Sequence, residues 1–179
     1  MNPVSPYGCA KVFSYNICRN YRNSYKMFIS NGILFNHESP RRGINFVTNK
    51  VAKEAVKIKL GLSNELKLGN LEASRDWGHA KDYVEGMWLM LQHDKPEDFV
   101  CSTGISHTVK DLVGYVFSSL ELDWEKYVVI DDKYLRPEEL KHLKGDCSKI
   151  KKVLSWKPKY SFEDMMDEMI EYWLEYYEK

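Results

Sequence analysis

The chain has 179 residues, 44% apolar and 29% charged, and its 26 basic and 26 acidic side chains cancel to a formal charge of zero. That length suits one domain with a real core and is short for two. The balanced charge argues against a general nucleic-acid or membrane-surface binder, while leaving room for a local patch that takes one phosphorylated ligand.

Four cysteines, Cys9, Cys18, Cys101 and Cys147, are scattered with no Cys-x-x-Cys pair. They read as free thiols in a reducing compartment rather than as a zinc site or a disulfide framework. Met1–Pro6 has neither a charged leader nor an apolar run, and no stretch nears 18 continuous apolar residues. The expected location is therefore the cytoplasm.

Ser5 is suited to cap a helix and Pro6 to occupy its first position, so a helix is expected from Pro6 to about Lys26, with Val12, Phe13, Ile17 and Tyr21 at helical spacing. Tyr7 and Lys11, four residues apart, share a face of it. A neighbouring ammonium favours the ionised form of a phenol, and a phenolate can take a proton from a hydroxyl as hydride leaves the same carbon. The spacing alone is weak, because twelve tyrosines in this chain yield about one Tyr-x-x-x-Lys by chance.

Met27 to Phe35 reads as a buried strand, and Asn36 to Gly43 as a loop closed by Pro and Gly. A donor-rich loop at a strand end suits a ligand carrying a carboxamide or phosphate, though a surface loop solvating its own charges has the same composition. Arg41 and Arg42 have the geometry to fork onto phosphate oxygens, with a solvated turn as the plain alternative. A second helix is expected from Asn45 to Leu60, ended by Gly61, with Phe46, Val51, Ala55 and Ile58 inward and Lys50, Lys53 and Lys57 on another face.

Glu65 to Gly69 reads as a strand and Arg75-Asp76-Trp77 as an extended piece. Arg75 suits two roles equally, a clamp on a diphosphate or an ion pair with Asp76 or Asp82. Helices are expected from His79 to His93, with Tyr83, Met87, Trp88 and Leu91 as the apolar stripe, and from Thr108 to Leu120. Asp98 to Thr103 and Lys126 to Asp131 read as strands. The Tyr134–Pro137 turn follows, where Arg136 and the nearby carboxylates suit a phosphate and two sugar hydroxyls, or simply an ordinary loop. Two further helices span Asp146 to Leu154 and Ser161 to the end, the last with Phe162, Met165, Met169, Trp173 and Tyr177 on one side.

Alternating strands and helices predict an α/β fold with part of a mainly parallel sheet, which places ligands at strand carboxyl ends. The five histidines lack metal-ligand spacing, so no metal site is expected. The sequence contains neither a Gly-x-Gly-x-x-Gly fingerprint nor a nucleophile elbow.

Taken in order, four stretches resemble the GDP-mannose 4,6-dehydratases of the extended short-chain dehydrogenase/reductase superfamily. They are Ser5–Lys11, Asn31–Gly43, Gly69-Asn70-Leu71 with Arg75–Val84, and Tyr134–Pro137. The second and third are long and specific to this dehydratase, and the resemblance covers essentially the whole chain but about the C-terminal half of the family's protein. It implies an incomplete Rossmann-type parallel sheet plus a small α/β substrate-binding region. Residues 1–60 would be the Rossmann part with the Tyr-x-x-x-Lys helix, and 61–179 mainly the nucleotide-sugar region.

The resemblance also implies roles. Tyr7 would be the acid/base at the sugar C4 hydroxyl, with Lys11 lowering its pKa and holding the nicotinamide ribose. His37 and Arg42 would join them as contacts to NADP, Arg42 on a loop that in the family reaches a neighbouring subunit's cofactor. Asn36, Lys50, Arg75, Arg136 and Glu139 would contact the GDP-sugar, the arginines on its diphosphate and Glu139 on ribose. The family reaction oxidises C4, eliminates water across C5 and C6, and returns hydride to C6, making it a hydro-lyase of GDP-fucose biosynthesis. The Gly-rich cofactor loop and the Glu that serves as elimination base lie in the family's first half, so this chain alone is expected not to catalyse dehydration. Two alternatives stand beside that reading: a non-enzymatic remnant that binds GDP-sugar or joins full-length subunits as an interaction module, and a related nucleotide-sugar epimerase or dehydratase. The partners it implies are a GDP-sugar and either further copies in a homo-oligomer or a missing N-terminal half. Loss of flanking strands beside Met27–Phe35 would expose an apolar edge.

Overall fold

The structure, a computed structural model, describes residues 2–135 and 140–178. Helix α1 (Pro6–Tyr25) begins as its sequence dictates. Pro6 supplies a fixed φ, and the Ser5 hydroxyl accepts the Gly8 amide at 3.0 Å. It ends on Lys26 in the left-handed region at φ 55°. Its predicted apolar stripe, however, is not a core face, because no residue of α1 is buried and Phe13 and Ile17 are exposed.

What ties α1 down is polar. The Arg22 guanidinium donates to both Asp98 carboxylate oxygens at 2.8 and 3.0 Å and to the Ile29 carbonyl at 3.0 Å. Asn31 Nδ2 adds a bond to Asp98 at 2.9 Å. Residues 26–30 lie outside any ladder and Asn31 enters one only through its carbonyl, which accepts the Phe99 amide at 2.9 Å, so the expected strand from Met27 shrinks to β1 (Gly32–Leu34).

β1 pairs in parallel with β6 (Phe99–Cys101). The Phe35 amide donates to Cys101 at 2.9 Å, and the chain then continues as β2 (Asn36–Glu38), paired in parallel with β5 (Trp77–His79). Residues 36–38, expected in a loop, are thus strand, because the extended chain changes partner at Phe35 instead of leaving the sheet. A second parallel pair joins β3 (Leu66–Leu68) to β8 (Val128–Ile130). In the third unit β4 (Ser74–Arg75) lies between antiparallel β7 (His107–Thr108) and parallel β9 (His142–Leu143).

Helices α2 (Val47–Lys59), α4 (Val109–Ser119) and α6 (Phe162–Glu178) pack around the larger core. Their predicted inward residues are buried there, among them Val51, Ala55, Leu112, Val116, Met165 and Met169. Thr108 and Asp111 form a reciprocal capping box at the start of α4. Buried Asn49 accepts Trp173 Nε1 at 2.7 Å, joining α2 to α6. Phe46, expected inward, is exposed at the N-terminal end of α2.

A smaller core gathers Tyr83 and Met90 of α3 (Ala80–Gln92), Phe99, Cys101, Trp156 and Ile150 of α5 (Ser148–Leu154). On α3 the predicted stripe is divided, with Tyr83 buried and Met87, Trp88 and Leu91 exposed. No described helix is long and apolar enough to cross a membrane. The expected α/β class is the one observed, as short and mainly parallel strand pairs among helices.

Two expectations follow for stability. Burial works to raise the Asp98 carboxyl, but the Arg22 and Asn31 hydrogen bonds outweigh it and hold the pKa at about 2. A carboxyl depressed on folding stabilises above its unfolded range, near ~4, and that contribution is lost as pH falls through the folded value. Amide hydrogen exchange in α1 should therefore accelerate between about pH 4 and pH 2, and Asp98→Asn should show the fast exchange already at neutral pH. At Gly78 an added Cβ would lie 2.5 Å from Tyr83 Cε2 and 2.9 Å from Thr103 Cγ2. Gly78→Ala should lower unfolding stability by about 1–3 kcal/mol in urea titration, because both neighbours are packed.

Candidate functional site

One cleft of about 1320 Å³ opens where β2, β3, β4 and the N-terminal turn of α2 meet the segment ending at Leu135. Tyr7, Asn36, His37, Arg42, Lys50 and Arg75 all line it, although they come from four different elements and one loop. Among the described residues six cations line the cleft against three carboxylates, an excess of positive charge in a chain of zero net charge. α2 opens without an acidic residue in its first turn and without a side-chain cap, leaving the partial positive charge of its N-terminus toward the cleft.

Tyr7 is 72% exposed at the rim. The Lys11 ammonium, one helical turn on, lies 5.3 Å from the centroid of its ring. Helical spacing alone produces that proximity.

His37 is oriented by its surroundings. Its Nδ1 lies 2.8 Å from the Phe35 carbonyl, which can only accept, so Nδ1 carries a proton and Nε2 is left for other partners. Its ring stacks on Tyr83 at 5.2 Å. Burial, with the nearby Asp76 charge, pushes the Tyr83 phenol upward, so that ring is a neutral wall.

Lys50 Nζ donates to the Lys67 carbonyl at 2.5 Å and sits 3.6 Å from the centre of the Tyr134 ring. This contact joins α2 to the 131–135 segment. Gly69 permits the same closure, since a Cβ there would come within 2.6 Å of the Tyr134 carbonyl oxygen. Arg75 Nη1 donates to the Ser74 and Leu140 carbonyls at 2.8 and 2.7 Å.

The two acids proposed from sequence as partners for Arg75 are employed by backbone amides. Asp76 accepts the Thr103, Gly104 and Gly145 amides, and Asp82 accepts the Lys159 and Tyr160 amides. Arg136 and Glu139 lie outside the described residues.

Sequence reading missed Glu38 as a site residue. It is buried in the cleft wall, receives the Thr48 hydroxyl at 2.6 Å and faces Arg42 Nε at 3.1 Å. The one local signal for it is the i, i+4 spacing of Glu38 and Arg42. Phe46 and Thr48 also line the cleft, and nothing in their local sequence marks them, whereas Tyr134, which lines it too, opens the Tyr134–Pro137 stretch. Among the described residues no group of three or more His, Cys, Asp or Glu is placed to hold a metal ion.

A family model described as GDP-mannose 4,6 dehydratase matches residues 1–169. GDP-mannose 4,6 dehydratase 2 of Arabidopsis thaliana is 52% identical over 170 residues, covering 95% of this chain and 46% of that protein. GDP-mannose 4,6 dehydratase of Homo sapiens is 49% identical over 185 residues, covering 94% and 50%. The chain thus spans about half the length of the curated relatives it matches.

Among solved structures, RMD from Pseudomonas aeruginosa complexed with NADPH superposes with a TM-score of 0.89 at 20% identity, covering 98% of this chain and 58% of that one. DesIV, a dTDP-glucose 4,6-dehydratase from Streptomyces venezuelae with NAD and TYD bound, gives 0.82 at 24%, covering 98% and 52%. At such identities the likeness carries the fold alone. The match over residues 1–169 carries more: this chain belongs to the GDP-mannose 4,6-dehydratase family.

Proposed function

We propose that the cleft takes a nucleotide sugar beside a nicotinamide cofactor, and that this chain supplies the Tyr–Lys couple and the sugar-nucleotide side of a GDP-mannose 4,6-dehydratase using NADP. One observation carries the reading. Tyr7, Asn36, His37, Arg42, Lys50 and Arg75, singled out by family resemblance, converge on a single positively charged cleft. In this reading residues 1–60 serve mainly the cofactor, residues 61–179 mainly the nucleotide sugar, and the enzyme is a cytoplasmic hydro-lyase of GDP-fucose biosynthesis.

The donor set fits the cofactor. A phenol, an ammonium and an imidazole with one nitrogen left open suit ribose hydroxyls and a carboxamide, while Arg42 offers a guanidinium for phosphate. When bound, the cofactor would accept hydride from C4 of the sugar and later return it to C6. Tyr7 Oη, as the phenolate, would take the proton of the C4 hydroxyl as that carbon is oxidised, with the Lys11 ammonium one helical turn away. Lys50 and Arg75 oppose the charge of the diphosphate. The family's Gly-rich loop and elimination base are not among these 179 residues, so the chain by itself should bind substrate without dehydrating it. A second reading, a binding module that docks on full-length subunits, draws support from the exposed apolar residues Phe13, Ile17, Trp88 and Leu91.

GDP-mannose at about 100 times its Kd should stabilise the purified chain by roughly 2.7 kcal/mol, seen as a rise in Tm. Lys50→Ala should reduce the rise. An unchanged Tm at saturating GDP-mannose would remove the nucleotide-sugar reading, and 4-keto sugar formation by the chain alone with NADP would refute the half-site assignment. In an enzyme completed with the N-terminal half of the Arabidopsis relative, Tyr7→Phe should cut kcat by about 10²–10⁴ with KM nearly unchanged. Full kcat in that variant would make Tyr7 a structural residue.

A further inference from the structure

Glu38 poses a physical problem that its environment solves in one direction. It is fully buried at the end of β2, and burial pushes its carboxyl upward, while the Thr48 hydrogen bond and the Arg42 charge oppose the shift. A buried carboxylate with one hydroxyl donor is costly, and a guanidinium at 3.1 Å offsets much of that cost.

The contact engages Arg42 in an unusual way. Nε faces Glu38 Oε2 as a charge contact without hydrogen-bond alignment, and the guanidinium carbon lies 3.6 Å from the centre of the Phe46 ring. The Arg42 carbonyl is held as well, by Asn49 Nδ2, and Asn49 is itself fixed by Trp173. Backbone, Nε and guanidinium plane are therefore all constrained. The two Nη groups, the fork that grips a phosphate, find no acceptor among the described residues.

We propose that Glu38 is a positioning residue: held by Thr48, it orients Arg42 over Phe46 so that the Arg42 Nη fork presents to a phosphate-bearing ligand in the cleft. This rests on the reading of the cleft as a nucleotide site. It adds the reason why an arginine on an irregular loop would be ready for its ligand. Ordering the side chain beforehand removes the entropy loss that binding would otherwise carry.

The test uses the intact chain with inorganic pyrophosphate as probe, read by NMR of the Arg42 side chain. In the unsubstituted protein, Arg42 side-chain resonances should be displaced by the Phe46 ring and should shift saturably with pyrophosphate. Glu38→Gln keeps size and a partner for Thr48 but removes the charge. It should abolish the ring displacement and weaken the pyrophosphate response about tenfold. Glu38→Asp, which returns the carboxylate, should recover part of both, a rescue that a purely structural role does not predict.

An Arg42 signature and pyrophosphate response intact in Glu38→Gln would overturn the inference, as would a wild-type Arg42 that ignores pyrophosphate. Should Glu38→Gln unfold, Thr48→Val provides the second arm, with loss of the Arg42 signature expected and its retention contrary. Failure here leaves the GDP-mannose stabilisation untouched, whereas failure of that stabilisation with the Arg42 response intact would count against the substrate alone.

Discussion

The fold turns on the carboxylate of Asp76. Fully buried at the break between β4 and β5, it accepts the Thr103 amide and hydroxyl at 2.8 and 2.7 Å, the Gly104 amide at 3.0 Å and the Gly145 amide at 3.2 Å. An ionised carboxylate in a dry interior demands such donors, because an unpaired one costs several kcal/mol. Meeting the demand draws the loop after β6 and the approach to α5 onto one point. Residues 74–79 then run in two directions from it. Arg75 is carried toward the cleft, and Trp77 and His79 into the β2–β5 pair. Gly145 has to be glycine for this closure, since a Cβ there would meet Ser102 Oγ at 2.3 Å.

Other buried polar groups repeat the principle. Asp82 gathers the Lys159 and Tyr160 amides and, through its carbonyl, the Trp156 indole at 2.8 Å, so α3 and the chain before α6 are joined. His79 accepts the Lys81 amide through Nδ1, which leaves Nε2 to donate to Glu168. Asp98 binds α1 through Arg22. Each of these carboxylates organises backbone or a neighbouring element. Lys50 in the cleft differs, being held by the Lys67 carbonyl and the face of the Tyr134 ring. Neutral partners leave its charge available to an anion. Arg42 combines the two patterns, fixed by a buried carboxylate and by a ring.

Local sequence made much of the fold legible. The Ser5–Pro6 start, the Thr108 cap and the 3.6-residue stripes of α2, α4 and α6 sit where expected, because capping and periodic burial are short-range matters. Where burial depended on distant parts of the chain, the stripes misled. Phe13 and Ile17 on α1 and Trp88 and Leu91 on α3 have the same spacing as core residues, yet they face solvent. Residues 27–30 have strand composition yet lie outside the ladder, beside the Arg22 bond to the Ile29 carbonyl and the Asn31 bond to Asp98. Asn36–Glu38 has loop composition and pairs with Trp77–His79, since pairing depends on a partner more than forty residues away rather than on local propensity.

The sequence by itself determined the family, through motifs whose order and residue types are properties of the chain alone, and it determined the helices, whose caps and periods are read within a few residues. Only the tertiary structure decided that six separated side chains share one cleft, that Asp76 and Asp82 serve amides, and that Glu38 stands buried behind Arg42. The physical reason is common to all three. A charged side chain's solvation and partners are set by chain segments far off in sequence, and no local pattern encodes them.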